Sequence, residues 1–571
     1  MTIIPEINPK QQYIVLFIAL VFVYLLGLIV PLMDEDASHH ADIALQMVRS
    51  NNYIHLLSKG RDYLDKPHLL FWSAAAFFNL IGVTTLAYKL PSFLVTCLGI
   101  YSTYRLAKLL YAAETGRFAA LITASSQAFI LANNDVRMDA MLTGFIIFAT
   151  WQLCEAVYWD KWYNYILGAL GMALGFATKG MVGVAMPAIA MFFLLLYQRN
   201  WKKLFNIKWF VVLPLLVIFI SPVLYCFYIQ FDLHPEKAIR GSSNISGIKF
   251  ILWGQSTERF DGDHFGKGKV KPFFFLHTML WAFLPWAFIT YYAIFSKLAF
   301  FIKSGFRFIA GQELLTLGTI LLIFTAISSA GYQLPHYLNI LFPFFGIITA
   351  QKLLELHHSQ SGVRQLKLIL KFQYIVIGGC VLIAIILNTW VFPLTSAVII
   401  AASVFLLVAL WQNLSSGQSY FHKIVISSAF CIIFVNVLLN GNFYPQLLKY
   451  QAGISLAKVL TEKKINPAEV YKFNTNSYAF DFYAANIFSF IELDDMKNKI
   501  GYEQEIWLFT NEEGKSKLVE SGLPFKLIAS SLNAKTTKLK PKFLNPETRK
   551  QACNTNYLIK IESKRMAIKN P

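Results

Sequence analysis

The chain has 571 residues, of which 56% are hydrophobic, 16% aromatic and only 15% charged, with a formal net charge of +19. Soluble domains carry about 25% charged and about 45–50% apolar residues, so a single soluble fold, a disordered chain and a coiled coil are excluded, leaving a polytopic membrane protein. In such a chain, surplus Lys and Arg point to cytoplasmic loops and anionic lipid rather than to nucleic acid. Cys97, Cys154, Cys226, Cys380, Cys431 and Cys553 stand singly, five of them in apolar runs, which offers neither a disulfide framework nor a CxxC metal site.

Apolar runs long enough to span a bilayer begin with 12–33. This run is followed by acidic residues without a small-residue cleavage site, so it is read as a retained first helix. The stretch 34–89 comes next, with a short apolar segment at 69–83 read as lying along the interface. Further spans are expected near 90–111, 117–133, 140–158, 163–178, 181–198, 209–229, 273–296, 312–330, 334–353, 371–390, 393–412 and 423–441. That makes about 13 transmembrane helices. With 69–83 not crossing, the short basic loops holding Arg105, Arg199, Lys303 and Arg364 all fall on one side, the cytoplasmic one. The loops 34–89 and 230–272 and everything after about 444 then lie outside. From 445 to 571 the composition becomes ordinary, with strands expected at 505–510 and 557–561 and helices at 451–463 and 511–521. This is read as a small α/β extracytoplasmic domain. Its segment Tyr478-Ala-Phe-Asp-Phe-Tyr483 is aromatic enough to dock on the membrane domain, but a buried strand is the expectation.

Charges at helix ends are the informative residues, because an acidic group at a span centre costs about 2.5–3.5 kcal/mol. The first span ends in Pro31-Leu-Met-Asp-Glu-Asp-Ala-Ser-His-His40, three carboxylates and two imidazoles at the outer interface. A polar stop to the helix accounts for them as well as chemistry does. The runs Arg61-Asp-Tyr-Leu-Asp-Lys-Pro-His68 and Asn133-Asn-Asp-Val-Arg-Met-Asp139 read equally as hydrogen-bonded turns. Thr178-Lys-Gly180 and Gln333-Leu-Pro-His-Tyr337 are, one at a time, a snorkelling lysine and an interface anchor. Together, five outer clusters bring acids, cations and tyrosine to one membrane face. That pattern suits a cavity for a phosphorylated lipid, with Lys66, Lys179 and Arg137 on the phosphate and Asp36 or Asp139 as base.

Ordered short motifs sharpen this reading. They are Ala41-Asp-Ile-Ala44, Tyr63-Leu-Asp-Lys-Pro67, Ala87-Tyr-Lys-Leu-Pro91, Asp139-Ala-Met-Leu142, Gly175-Phe-Ala-Thr-Lys-Gly180, Lys271-Pro-Phe-Phe274 with Leu284-Pro-Trp286, and Leu334-Pro-His-Tyr337 with Phe342-Pro343. Over about residues 10–445 the chain resembles the GT-C glycosyltransferases related to 4-amino-4-deoxy-L-arabinose lipid A transferase and the bacterial protein O-mannosyltransferases. The resemblance implies a bacterial inner-membrane enzyme that moves a sugar from polyprenyl phosphate to lipid A or another envelope acceptor on the periplasmic face, by inversion.

By the same resemblance, Asp36 matches the acidic residue ending the first span, Asp139 the second acid, and Tyr63, Asp65 and Lys66 the Tyr-x-acid-Lys-Pro motif. Lys179 matches the phosphate-facing lysine and Tyr337 the late tyrosine, while Asp34, His39 and His336 join the cavity wall. The family's Glu after the first acid is Ala37 here, its Arg is His39, and its acid before Lys66 is Asp65 rather than Glu. Lipid A members pair that acid with a loop histidine to hold a metal. Here Trp253-Gly-Gln-Ser-Thr-Glu-Arg-Phe260 has no histidine, and His264 is the substitute, so a Zn²⁺ or Mg²⁺ site would start from two ligands, Asp65 and His264. A protein O-glycosyltransferase is the alternative within the class. A lipid-linked sugar flippase or other transporter is the alternative outside it, and would place ionisable groups near the bilayer midplane.

Overall fold

The computed structural model describes residues 9–261, 270–500 and 505–561. It is mostly helical, and seven helices among the described residues are long and apolar enough to cross a membrane, from Gln11–Ile29 to Tyr420–Tyr450. Shorter apolar helices include Leu69–Ile81, Val182–Gln198 and Leu315–Ser328.

The first long helix, α1 (Pro9–Ile29), gives way to α2 (Glu35–Ser50), which is built for its ends. Glu35 and Asp36 occupy its first turn, Arg49 its last, and Asn51 closes it in the left-handed conformation at φ 49°, so charges and cap all complement the helix dipole. A two-stranded hairpin, β1 (Leu57–Ser58) and β2 (Arg61–Asp62), leads to α3 (Leu69–Ile81) and α4 (Thr85–Leu110). Thr84 caps α4 by accepting from the Ala87 amide at 3.1 Å. Helix α4 crosses α7 (Met138–Trp159) where two glycines face each other: a Cβ on Gly99 would sit 2.9 Å from the Gly144 Cα. Backbone contact of this kind is how helices pack without a hydrophobic drive between them.

Two of the expected spans are broken. The run 117–133 becomes α5 (Ala113–Ala124) and α6 (Gln127–Asn134), and 273–296 becomes Phe274–Ala282 and Ala287–Lys303. The breaks meet. The Gln127 amide donates to the Leu284 carbonyl at 3.0 Å, and the indole of fully buried Trp286 donates to Ser125 Oγ at 3.0 Å. Apolar surroundings demand that freed backbone groups find partners within the protein, and each break serves the other. Hydropathy cannot see such breaks, because the residues flanking them are as apolar as the helices.

At the C-terminal end, β3 (Val470–Phe473), β4 (Ile506–Asn511), β5 (Phe525–Asn533) and β6 (Asn554–Ile561) form a sheet in the order β3-β4-β6-β5. β3 and β4 are parallel, and the other pairs are antiparallel. Alternate residues bury opposite faces: Phe509 and Leu558 pack with Leu456 and Phe480, while Leu508 and Ile559 pack with Met496 and Leu518. The segment Tyr478–Tyr483 is a helix, not the expected strand. Its alternating aromatics mimic a strand, but Ser477 accepts from the Phe480 amide at 3.2 Å and caps a helical turn. A strand would set Phe480 and Phe482 on one face; a helix sets them about 200° apart. Phe480 therefore stacks on Phe509 inside the sheet domain, while Phe482 inserts among α2, α3 and α4 beside Phe78 and Tyr88.

Candidate active site

The turn between α1 and α2 is pinned from below. Asp135, buried after α6, accepts from the Met33 and Asp34 amides at 2.8 and 3.1 Å through one carboxylate oxygen. Its burial raises its pKa, against the pull of Arg137. Asp34 then accepts from Arg137 at 3.1 Å, and the same nitrogen of Arg137 lies 3.1 Å from His336 Nδ1. Asp34 thus holds the wall from behind, whereas Asp36, two residues on, faces the cavity.

That cavity measures about 180 Å³. It gathers the sequence-predicted residues Asp36, His39, Tyr63, Asp65 and Lys66 from the α2–α3 region. Arg137 and Asp139 come from the start of α7, Lys179 from the end of α8 (Trp162–Lys179), and His336 and Tyr337 from the turn Pro335–Leu341. His264 lies outside the described residues.

Asp139 and Lys179 form a buried pair with Oδ1 to Nζ at 2.6 Å, and His336 Nε2 stands 3.7 Å from the other Asp139 oxygen. Lys179 ends its helix, where a cation suits the dipole, and its ammonium lies 4.6 Å from the Tyr337 ring centroid. Gly180 follows at φ +71°, and a Cβ there would fall 2.5 Å from Gln255 Oε1. The glycine in Thr178-Lys-Gly180 is what lets the large outer loop close against the lysine.

On the α2 side, His39 bonds Ser58 through Nε2 at 2.7 Å and stacks on Tyr478 of the C-terminal helical turn at 4.2 Å. Burial, with Lys59 nearby, lowers its pKa to about 4, so the ring is neutral at physiological pH. Lys66 is drawn well below the ordinary lysine range by desolvation and by Arg259 and Lys179. Asp36 is shifted upward, first by partial burial and then by the Asp34 carboxylate, with Arg137 and Lys66 opposing.

Sequence reading missed His40, Arg240, Gln255, Glu258, Arg259 and Tyr332 on this wall. His40 belongs to the quoted His-His pair. The others sit in or beside polar loops, where Arg and Glu are ordinary; Gln255, Glu258 and Arg259 fall in the quoted run Trp253–Phe260, and Tyr332 stands just before the quoted Gln333. The wall carries five cations (Lys66, Arg137, Lys179, Arg240, Arg259) and four carboxylates (Asp36, Asp65, Asp139, Glu258). Most are committed to one another. Asp36 and Lys66 make no side-chain hydrogen bond or ion pair within 4.0 Å among the described residues, and Asp36 is exposed to the cavity mouth.

For a metal, Asp65 is the one expected ligand in view, and its carboxylate is ion-paired with Arg240, which also takes Glu258 at 2.9 Å. Among the described residues no three His, Cys, Asp or Glu side chains come together. These residues do not supply a metal's donor set.

Residues 65–226 match the family model of dolichyl-phosphate-mannose-protein mannosyltransferase. The crystal structure of ArnT from Cupriavidus metallidurans bound to undecaprenyl phosphate superposes with a TM-score of 0.72 over 96% of this chain and 97% of that one, at 16% identity. The chain shares the fold of that structure. Its apo counterpart gives the same TM-score at 17% identity, covering 97% of this chain and 98% of that one. In sequence, the chain is 24% identical over 288 residues to an undecaprenyl phosphate-alpha-4-amino-4-deoxy-L-arabinose arabinosyl transferase of Pseudomonas aeruginosa, a match spanning 49% of each protein. The equivalent from Edwardsiella ictaluri is 25% identical over 388 residues, 65% of each. The chain thus spans between half and two thirds of the length of these arabinosyl transferases.

Proposed function

We propose that the protein is a membrane glycosyltransferase that takes a sugar from a polyprenyl-phosphate donor and passes it to lipid A at the periplasmic face of a bacterial inner membrane. The observation that carries this reading is the pair of uncommitted charges, Asp36 and Lys66, facing one cavity whose other charges, Arg259 apart, are ion-paired. A group that must meet substrate cannot be saturated by neighbours beforehand. Similarity to proteins named as undecaprenyl-phosphate sugar transferases supports the donor class.

In this mechanism the lipid phosphate lies against Lys66 and Arg259, with Lys179 held by Asp139 adding its field from 4.6 Å behind the Tyr337 ring. The acceptor oxygen attacks the anomeric carbon from the opposite face, the bond to the lipid phosphate breaks, and the configuration inverts. Asp36 receives the proton when the acceptor is a hydroxyl. When the acceptor is a lipid A phosphate, already ionised, Asp36 orients it. Asp139, engaged by Lys179 and His336, is a positioning residue rather than a base. Tyr478 of the C-terminal domain stacks on His39 of the cavity wall.

The mannosyltransferase family match favours a second reading, in which the acceptor is Ser or Thr on an exported protein. Purified protein supplied with undecaprenyl-phosphate aminoarabinose and either lipid A or an unfolded secretory polypeptide separates the two by mass spectrometry. Transfer to lipid A that is lost in Asp36→Asn is expected. Full transfer by that folded variant removes Asp36 from the chemistry, and no turnover with either acceptor removes the transferase reading.

A further inference from the structure

Arg240 bridges the two outer loops that wall the cavity. Arg240, from the loop between Trp209–Phe227 and the turn Gly247–Lys249, ion-pairs with Asp65 after β2 and donates to Glu258 Oε2 at 2.9 Å. Its guanidinium carbon also stands 5.1 Å over the ring centroid of Phe250. Beside it, Gln255 donates from Nε2 to the Asp65 carbonyl at 2.6 Å, a second bond between the same two loops.

The backbone under Arg240 is built for the purpose. Ile239 and Ser242 exchange hydrogen bonds of 2.8 and 3.1 Å, and between them Arg240 and Gly241 both have positive φ, 52° and 81°. Two successive positive values define the mirror-image hairpin turn that prefers Asn-Gly. A long side chain at its first corner is strained, and such strain is tolerated where the side chain is needed.

We propose that Arg240 is the positioning residue that latches the outer loop over the donor site, filling with a guanidinium the place between Asp65 and its partner loop where the resemblance implies a metal. The inference rests on the transferase reading for its purpose but not for its geometry. Two carboxylates on opposite sides suit a planar fork of five N–H donors, which spans both without further ligands. A metal ion between the same two groups would lack the remaining ligands it requires among the described residues. Lysine is a point charge and serves one carboxylate well, not two.

The test has an arm that needs no turnover. Wild-type protein purified in detergent is analysed for metal content, and its thermal unfolding and its affinity for undecaprenyl phosphate are measured with and without EDTA. Less than a tenth of a metal ion per chain and no response to EDTA are expected. Arg240→Gln should weaken undecaprenyl phosphate binding about tenfold and raise the KM for donor more than it lowers kcat, with Arg240→Lys in between. Glu258→Gln, which removes one limb of the bridge, should show the smaller part of the same change if Arg240→Gln does not fold. One metal ion per chain whose removal by EDTA abolishes lipid binding overturns the latch, as does wild-type affinity in folded Arg240→Gln. Failure of the wild-type protein to bind undecaprenyl phosphate at all is a different outcome: it overturns the transferase reading, while the metal and unfolding measurements still decide the latch.

Discussion

Two buried lysine–carboxylate pairs in this protein look alike and do different work. One is Lys179–Asp139 on the cavity wall. The other is Lys297–Glu313, where the lysine on the helix Ala287–Lys303 pairs with the glutamate just before the helix Leu315–Ser328. In the second, every charge is consumed locally: Lys297 also donates to Tyr111 and Thr316, and Glu313 also takes the Thr316 amide at 2.8 Å and its hydroxyl at 2.7 Å. It closes a helix N-terminus. In the first, the pair stands beside two charges left unspent, Asp36 and Lys66, and a cavity large enough to admit a sugar. Burial and pairing are therefore not the mark of a reactive site; what marks it is uncommitted charge next to committed charge.

The contrast breaks most visibly at Asp36. Asp36→Asn should cost about 10²–10⁴ in kcat toward a hydroxyl acceptor, the range of general base catalysis, in a radiolabelled sugar transfer assay. The Lys297 cluster should respond in the opposite way. Lys297→Met leaves a buried carboxylate uncompensated and should lower stability by about 3–5 kcal/mol, read as a fall in unfolding temperature in detergent, while kcat of the folded fraction stays unchanged. A catalytic defect in folded Lys297→Met would erase the distinction between the pairs. A smaller effect is expected of Lys66→Met: about a tenfold to hundredfold loss in kcat/KM, or roughly 1.4–2.8 kcal/mol of transition-state stabilisation, since Arg259 and Lys179 remain to face the phosphate.

Much of the cavity was legible because its residues break an apolar background. Asp36, Lys66, Asp139 and Lys179 stand in or beside runs where a charge is costly, so their mere presence carried information. Arg240 and Arg259 were not legible as site residues, because they sit in loop sequence where arginine costs nothing. In the C-terminal domain, 505–510 and 557–561 were readable as strands from their alternation, and all but the first of those residues fall on β4 and β6. The same alternation misled at Tyr478–Tyr483, where two aromatics two apart serve two different cores through a capped helical turn. The paired breaks at Ser125 and Pro285 were illegible for another reason: each is stabilised by the other, across 160 residues of chain.

The smallest effect is the most discriminating, because it asks whether Asp36 is held at a cost. Its folded pKa is raised, by partial burial first and by Asp34 second. An Asp whose pKa is higher folded than unfolded gives up its proton more readily when the chain unfolds. Ionisation then works against folding, and stability falls as pH climbs from the ordinary carboxylate range through the raised value. Asp36→Asn removes that penalty, so the inactive variant should unfold at a slightly higher temperature than the wild type at pH 7, and the gap should close as pH falls below the ordinary aspartate value. Activity toward a hydroxyl acceptor should move the other way in the wild type, rising with pH through the same raised midpoint, because the base must be ionised to accept a proton. Glu313→Gln, by contrast, takes a partner away from buried Lys297 and should be destabilised at pH 7. Should Asp36→Asn prove less stable than the wild type at pH 7, Asp36 would belong with Glu313 as a structural group, and the uncommitted charge that singles out the cavity would have to be sought elsewhere on its wall.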